Sequence, residues 1–182
     1  MASEAEKREK LQRAFGLHYT AVSRYCHRRL QADEANDAAA QTFVVAWKKI
    51  DKMPEVTAAL PWLYTIARYE VSNRRRSSRR FGRLVSKLSG LGPHIDESPE
   101  ERVIGRIDSA GVLRALATLS ERDQEVIRLR AFEELSIAEV AAVVGCSPEA
   151  AKKRCARALQ RMRGALDTPS PDRRPAAREE EA

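Results

Sequence analysis

The sequence predicts an all-α protein of two small helical domains joined by a flexible linker, the second domain ending in a helix-turn-helix. Three observations carry this. Apolar residues recur every three or four positions through most of the chain, and no stretch alternates long enough for a strand. Between Phe81 and Pro99 that periodicity dissolves into glycine, proline and serine. Beyond it, serines repeatedly precede acidic residues at the spacing that caps helices.

In chain order, Leu11, Phe15, Tyr19, Val22, Cys26 and Leu30 form one stripe, so a first helix is expected over Glu4–Leu30. Ala39, Phe43, Ala46 and Ile50 form the packing face of a second, over Asp33–Ile50. Pro54 marks a loop, Asp51–Thr57. A third helix, Leu60–Arg80, places Leu60, Leu63, Ile66, Ala67 and Val71 on one side and Trp62, Thr65, Tyr69, Ser72 and Arg76 on the other. These elements make a domain over residues 1–80.

Gly82, Gly90, Gly92 and Pro93 give residues 81–98 the composition of a linker, ending acidic at Asp96 and Glu97. The second domain, 99–166, opens at Ser98-Pro99-Glu100-Glu101, with further caps expected at Ser120, Ser136 and Ser147. Val144-Gly145-Cys146-Ser147 reads as the turn of a helix-turn-helix, its glycine permitting the reversal. The first of its helices carries Ile137, Val140, Ala141 and Val144. The second buries Ala151, Cys155, Ala158, Leu159, Met162 and Leu166 and presents Glu149, Ala150, Lys153 and Arg157 opposite. Residues 167–182, proline-rich and charged, are expected to be disordered.

At 182 residues and 43% hydrophobic composition the chain can bury real cores. A net charge of +7 points to a polyanionic partner, nucleic acid or membrane surface. No apolar run reaches the roughly 18 residues needed to span a bilayer, and the opening residues lack the apolar segment of a secretory signal, so a cytoplasmic protein is expected. Cys26, Cys146 and Cys155 have no metal-ligand spacing and read as structural thiols. His18, His27 and His94 lie on different segments. With no nucleophile–base constellation and no phosphate-cradling loop, neither catalytic residues, a metal, a cofactor nor a small-molecule substrate is expected.

Two segments carry the chemistry. The third helix combines flat rings with guanidinium groups, the pairing that single-stranded or distorted nucleic acid calls for. The last helix exposes small and basic residues over a small apolar back, which suits insertion in a major groove. Lys153, Arg154 and Glu149 stand nearest to base edges there, and Lys152 and Arg157 nearest to phosphates.

Three stretches carry a resemblance to a known family: Ala35-Asn36-Asp37 through Gln41-Thr42-Phe43 and Ala46-Trp47; Trp62-Leu63-Tyr64-Thr65-Ile66-Ala67-Arg68; and Leu119-Ser120-Glu121-Arg122 with Ser147-Pro148-Glu149 and Arg157-Ala158-Leu159. From about Phe15 to Leu166 the chain resembles bacterial RNA polymerase sigma factors of the extracytoplasmic-function (ECF) group. The resemblance implies a protein without catalysis of its own that binds core RNA polymerase, through its beta and beta-prime subunits, and directs promoter recognition, DNA melting and initiation. It implies a core-polymerase contact at Asp37, Gln41, Phe43 and Trp47. It implies a minus-ten contact from Lys52, Trp62, Tyr64, Arg68, Asn73, Arg74, Arg75, Arg76, Arg79 and Arg80, with an extruded base held by the Asp51–Thr57 loop. A minus-thirty-five contact falls to Ser147, Glu149, Lys152, Lys153, Arg154 and Arg157, and an anti-sigma factor is implied as a further partner. Trp62 and Tyr64 either touch the melted strand or wedge the domain; both readings stay open here. The chain departs from the family pattern at Ala40, Gln41 and Tyr69, where a glutamine, a glutamate and an asparagine are usual. The competing reading is a dimeric helix-turn-helix regulator that does not replace a sigma factor.

Overall fold

The computed structural model describes residues 3–89 and 109–167, and among these it is helical with no strand. Three long helices build the first domain: α1 (Glu4–His27), α2 (Ala32–Lys48) and α3 (Leu60–Ser89). Three short helices and a long one follow: α4 (Ser109–Ala117), α5 (Glu121–Ala131), α6 (Ile137–Val144) and the longer α7 (Pro148–Asp167).

Serines cap these helices as their spacing suggests. Ser3 and Glu6 exchange both bonds of a capping box on α1, and Ser136 and Glu139 do the same on α6. Ser120 accepts from the Asp123 N–H, and Ser147 from the Ala150 N–H, satisfying donors that each helix start leaves orphaned. The expected cap at Ser98 and the linker residues 90–98 lie outside the described residues, as do 168–182 of the expected tail.

α1, α2 and α3 pack on one another around Val22, Cys26, Ala39, Phe43, Ala46, Leu63, Ala67 and Val71, all buried. The alanines let the helices approach closely, while each fully buried valine or leucine contributes about 1.5–3 kcal/mol. α7 forms the floor of the second domain, packing against α4, α5 and α6 through Ala151, Ala158 and Met162. α3 also packs against α6, so the two domains share one continuous core.

Several expectations are corrected here. α1 ends at His27, and α3 continues through Gly82 to Ser89, nine residues into the stretch read as linker. One glycine costs a helix only about 1 kcal/mol relative to alanine, too little to stop one rich in arginine, leucine and lysine. Leu159 and Leu166, expected in the buried stripe of α7, are 43% and 47% exposed; Leu159 lines an open groove with Ile127 and Ile137, and Leu166 lies at the edge of the packing beside Gly111 of α4. Phe15, between partly buried Leu11 and Tyr19 on the α1 stripe, is 45% exposed.

Candidate nucleic-acid interface

α3 is two-faced. Leu63, Ile66, Ala67 and Val71 are buried, while Thr65, Tyr69, Ser72 and Arg76 are open and Trp62 is half-buried at the edge of the core. Tyr69 is 62% exposed, leaving an unstacked ring midway along this face. Asn73 accepts from the Arg76 guanidinium at 2.6 Å, which holds that arginine against the helix. Tyr64 lies elsewhere. It is 2% exposed, its ring 5.1 Å from that of Tyr25, and in this arrangement it wedges the fold rather than offering a face to a DNA strand.

The loop before α3 is two 3₁₀ turns, Ile50–Lys52 and Val56–Ala58. Met53, Val56 and Ala59 are buried and anchor it, while Asp51, Lys52, Pro54, Glu55 and Thr57 face solvent.

In the second domain, Gly145 takes a left-handed conformation (φ 75°) as it closes α6, and its N–H donates to the Ala141 carbonyl. That reversal sets α7 across α6, with Glu149, Lys152, Lys153 and Arg157 exposed along its outer face. Arg154 departs from the expectation. Half-buried, it turns away from that face to pair with Asp123 on α5 at 3.7 Å, beside Arg161 at 3.1 Å.

Between the domains lies a network that the sequence did not suggest. Arg29, in the turn just after α1, is buried, donating to Glu125 (Nε–Oε2 2.9 Å) and Glu133 (Nη1–Oε1 3.1 Å), with its guanidinium carbon 3.6 Å from the centre of the Tyr25 ring. The Tyr25 hydroxyl donates to Glu125 at 2.7 Å, and Arg28 pairs with Glu133 at 2.8 Å. A left-handed residue, Glu134 (φ 54°), shapes the turn that carries Glu133. Burial alone raises the Glu125 carboxyl, but Arg29 and the Tyr25 hydroxyl outweigh it and hold the group below the usual carboxylate range. Burial pushes the Tyr25 hydroxyl well above its ordinary value and the neighbouring Cys26 thiol up to about 12. Arg75 is depressed by burial and then by the Arg128 and Arg29 guanidiniums; it donates to the Arg29 carbonyl at 3.0 Å.

Several arginines expected at the minus-ten element are therefore occupied inside the protein. Arg68 donates to the Val143 carbonyl of α6 at 3.4 Å, Arg79 pairs with Glu121 of α5, and Arg74 pairs with Asp37 of α2 at 3.7 Å. Arg76 and Arg80 remain exposed. Of the residues expected to meet polymerase, Asp37 is exposed and Gln41 and Trp47 are half-buried, while Phe43 is in the core, edge-on to Phe15 at 4.9 Å. Trp47 lines an open apolar groove of about 440 Å³ with Leu11 and Phe15. Among the described residues there is no cluster of histidine, cysteine or acidic side chains that could hold a metal, and no helix long and apolar enough to cross a membrane.

An all-helical protein with an aromatic and basic helix in one domain and a capped helix-turn-helix in the other defines a nucleic-acid-binding class, and comparison with known proteins narrows it. Residues 14–81 match the family Sigma-70 region 2, and residues 109–162 match Sigma-70, region 4. The chain is 30% identical over 143 residues to the RNA polymerase sigma factor YlaC of Bacillus subtilis (strain 168), covering 77% of this chain and 82% of that one. It is 30% identical over 166 residues to the ECF RNA polymerase sigma factor BldN of Streptomyces coelicolor, covering 88% of this chain and 62% of that one. Among solved structures, the sigma factor RpoE in complex with the anti-sigma factor NepR from Bartonella quintana superposes with a TM-score of 0.61 at 26% identity, covering 92% of this chain and 100% of that one.

The chain belongs to the sigma-70 family, within its ECF group: it is a sigma factor directing transcription initiation, and not an enzyme.

Proposed function

We propose that this sigma factor divides promoter recognition between its two domains, α3 and the Asp51–Thr57 loop taking the melted minus-ten element and α7 the duplex minus-thirty-five element. The observation that carries this is the open row on α3, Thr65, Tyr69, Ser72 and Arg76, with half-buried Trp62 at its start, lying opposite a fully packed face and beside an exposed loop. Stacking a base on an aromatic ring contributes about 1–3 kcal/mol, comparable to the few kcal/mol that unstacking a base costs. Arg76 and Arg80, with Arg74, Arg75 and Arg79 once released, track phosphates. On α7, Lys153 and Glu149 meet base edges from an N-terminus capped by Ser147, while Lys152 and Arg157 meet phosphates.

Core polymerase docks on the α1–α2 side, where Trp47 lines the apolar groove and Asp37 and Gln41 lie along α2. An anti-sigma factor is the expected antagonist, and the protein acts in the cytoplasm, where polymerase is. Promoter binding also requires the domains to part. The two elements lie about 25 base pairs apart, roughly 85 Å of B-form DNA, whereas two touching domains of this size have centres roughly 30 Å apart.

The test is transcription in vitro with purified core polymerase and a promoter selected from a randomised library. Core binding with initiation dependent on both elements supports the reading. A dimer that binds a palindromic duplex without engaging core overturns it in favour of a conventional regulator.

A further inference from the structure

One face of α1 runs along the loop that precedes α3. Lys7, Lys10, Ala14 and His18 recur at helical spacing on this face. Lys7 pairs with Asp51 at 2.7 Å, Lys10 donates to the Met53 carbonyl at 2.6 Å, and His18 Nε2 lies 2.6 Å from the Val56 carbonyl. A carbonyl only accepts, so His18 donates from Nε2–H. Ala14, fully buried between them, leaves room for this close approach.

These contacts bracket the loop apex. Met53 and Val56 flank Pro54 and Glu55, and their side chains are buried while the apex is exposed. Beyond the buried Met53 and Val56 side chains, the loop's own backbone bonds are short-range, Met53 N–H to the Ile50 carbonyl and Ala58 N–H to the Glu55 carbonyl. Left to such turns alone, a segment of this kind samples several shapes. His18 is 6% exposed and, among the described residues, its polar contact is with this loop, so its burial is matched to the loop's position.

We propose that Lys7, Lys10 and His18 are positioning residues that fix the shape of the Asp51–Thr57 loop and so set how selectively the loop accepts an extruded base. This rests on the reading of that loop as the base-holding element. Selectivity in such a site comes from donors and acceptors held in one geometry; a loosened loop still admits a base but ranks the four bases less sharply.

The experiment uses full-length protein assembled with core polymerase on pre-melted templates, carrying each of the four bases in turn at every non-template position of the minus-ten element. The readout is the ratio of initiation rates between the preferred base and the others. Lys10→Met and His18→Ala are expected to lower that ratio about tenfold at one position, with initiation from the best sites, core affinity and upstream duplex binding retained. His18→Gln, whose amide can donate at similar reach, is expected to restore it. Lys7→Met and Lys10→Met, at partly exposed positions, keep the test open should His18→Ala fold poorly. Unchanged ratios in variants whose melting temperature has dropped overturn the proposal and leave the contacts structural. Lys52→Ala and Glu55→Ala separate the two readings: if they alter base preference while the α1 variants do not, only the positioning role falls. If the loop variants also leave preference unchanged, the loop is not the base-holding element and both readings fall.

Discussion

Arg29 and Glu125, 96 positions apart in the chain, meet at 2.9 Å between the two domains, with the arginine side chain 1% exposed. Neither charge is left unsatisfied: Glu133 and the Tyr25 ring complete the arginine's surroundings, and the Tyr25 hydroxyl completes the carboxylate's. Buried pairs of this kind add little against an apolar alternative, yet removing one partner strands a charge. The contact therefore favours one arrangement of the domains and gives way as a unit.

Glu125→Ala is expected to cost about 3 kcal/mol of stability in urea unfolding, and to enlarge the radius seen in small-angle scattering as the domains separate. Substituting Arg29 by methionine and Glu125 by leucine together should cost less than the sum of the single changes. Additive costs would show that the two residues do not act on one another.

Acid should loosen the same contact. Glu125, and Glu121 through its hydrogen bond from Arg79, have carboxyl groups held below their ordinary value. A depressed carboxylate contributes stability that is fully present above its unfolded pKa, about 4.3 for glutamate, and is lost as pH falls through the lower folded value. Scattering radius against pH should stay flat from neutrality to about pH 5 and rise below it. Glu125→Gln should abolish most of that dependence.

The rings of α3 should separate by template. Tyr69→Ala removes an exposed ring and should weaken binding to melted strand by about 1–3 kcal/mol with no change in melting temperature. Trp62→Ala should impair duplex promoters more than pre-melted ones. Tyr64→Ala opens a cavity in the core, costs about 3–5 kcal/mol of stability, and should depress initiation equally on both templates.

On α7, Lys153→Ala should cost about 1–3 kcal/mol and relax preference at one or two upstream positions. Arg154→Ala should instead weaken binding evenly across sequences, since its guanidinium is committed to Asp123. Binding curves on a panel of singly substituted duplexes distinguish the two outcomes.

Thiol labelling should report the fold. Cys26 is fully buried and its thiol is pushed up to about 12, so iodoacetamide at neutral pH should spare it and modify half-exposed Cys146 first. Labelling of Cys26 in the native state would mean that the first domain opens on the timescale of the reaction.

Much of the architecture was legible before the structure, because it depends on neighbours in sequence. The two faces of α3, the serine caps, the glycine turn and the small buried stripe of α7 all follow from periodicity and capping within a few residues. The site was legible in part. The open row Thr65, Tyr69, Ser72 and Arg76 and the packing of Phe43 were readable from spacing, whereas the burial of Tyr64 was not distinguishable from exposure, since an aromatic residue suits either.

The helices, their apolar faces and the sigma-family motifs are written in short-range patterns and can be read along the chain. Which charges meet is settled by how the helices pack. Arg29, Glu125 and Glu133 carry no local signature, and their pairing comes into being when the turn after α1 meets α5 and the turn after it across the fold. Lys10 and His18 were likewise ordinary residues of a helix until the loop closed over them, because a hydrogen bond to a backbone carbonyl leaves no mark in the residue that accepts it.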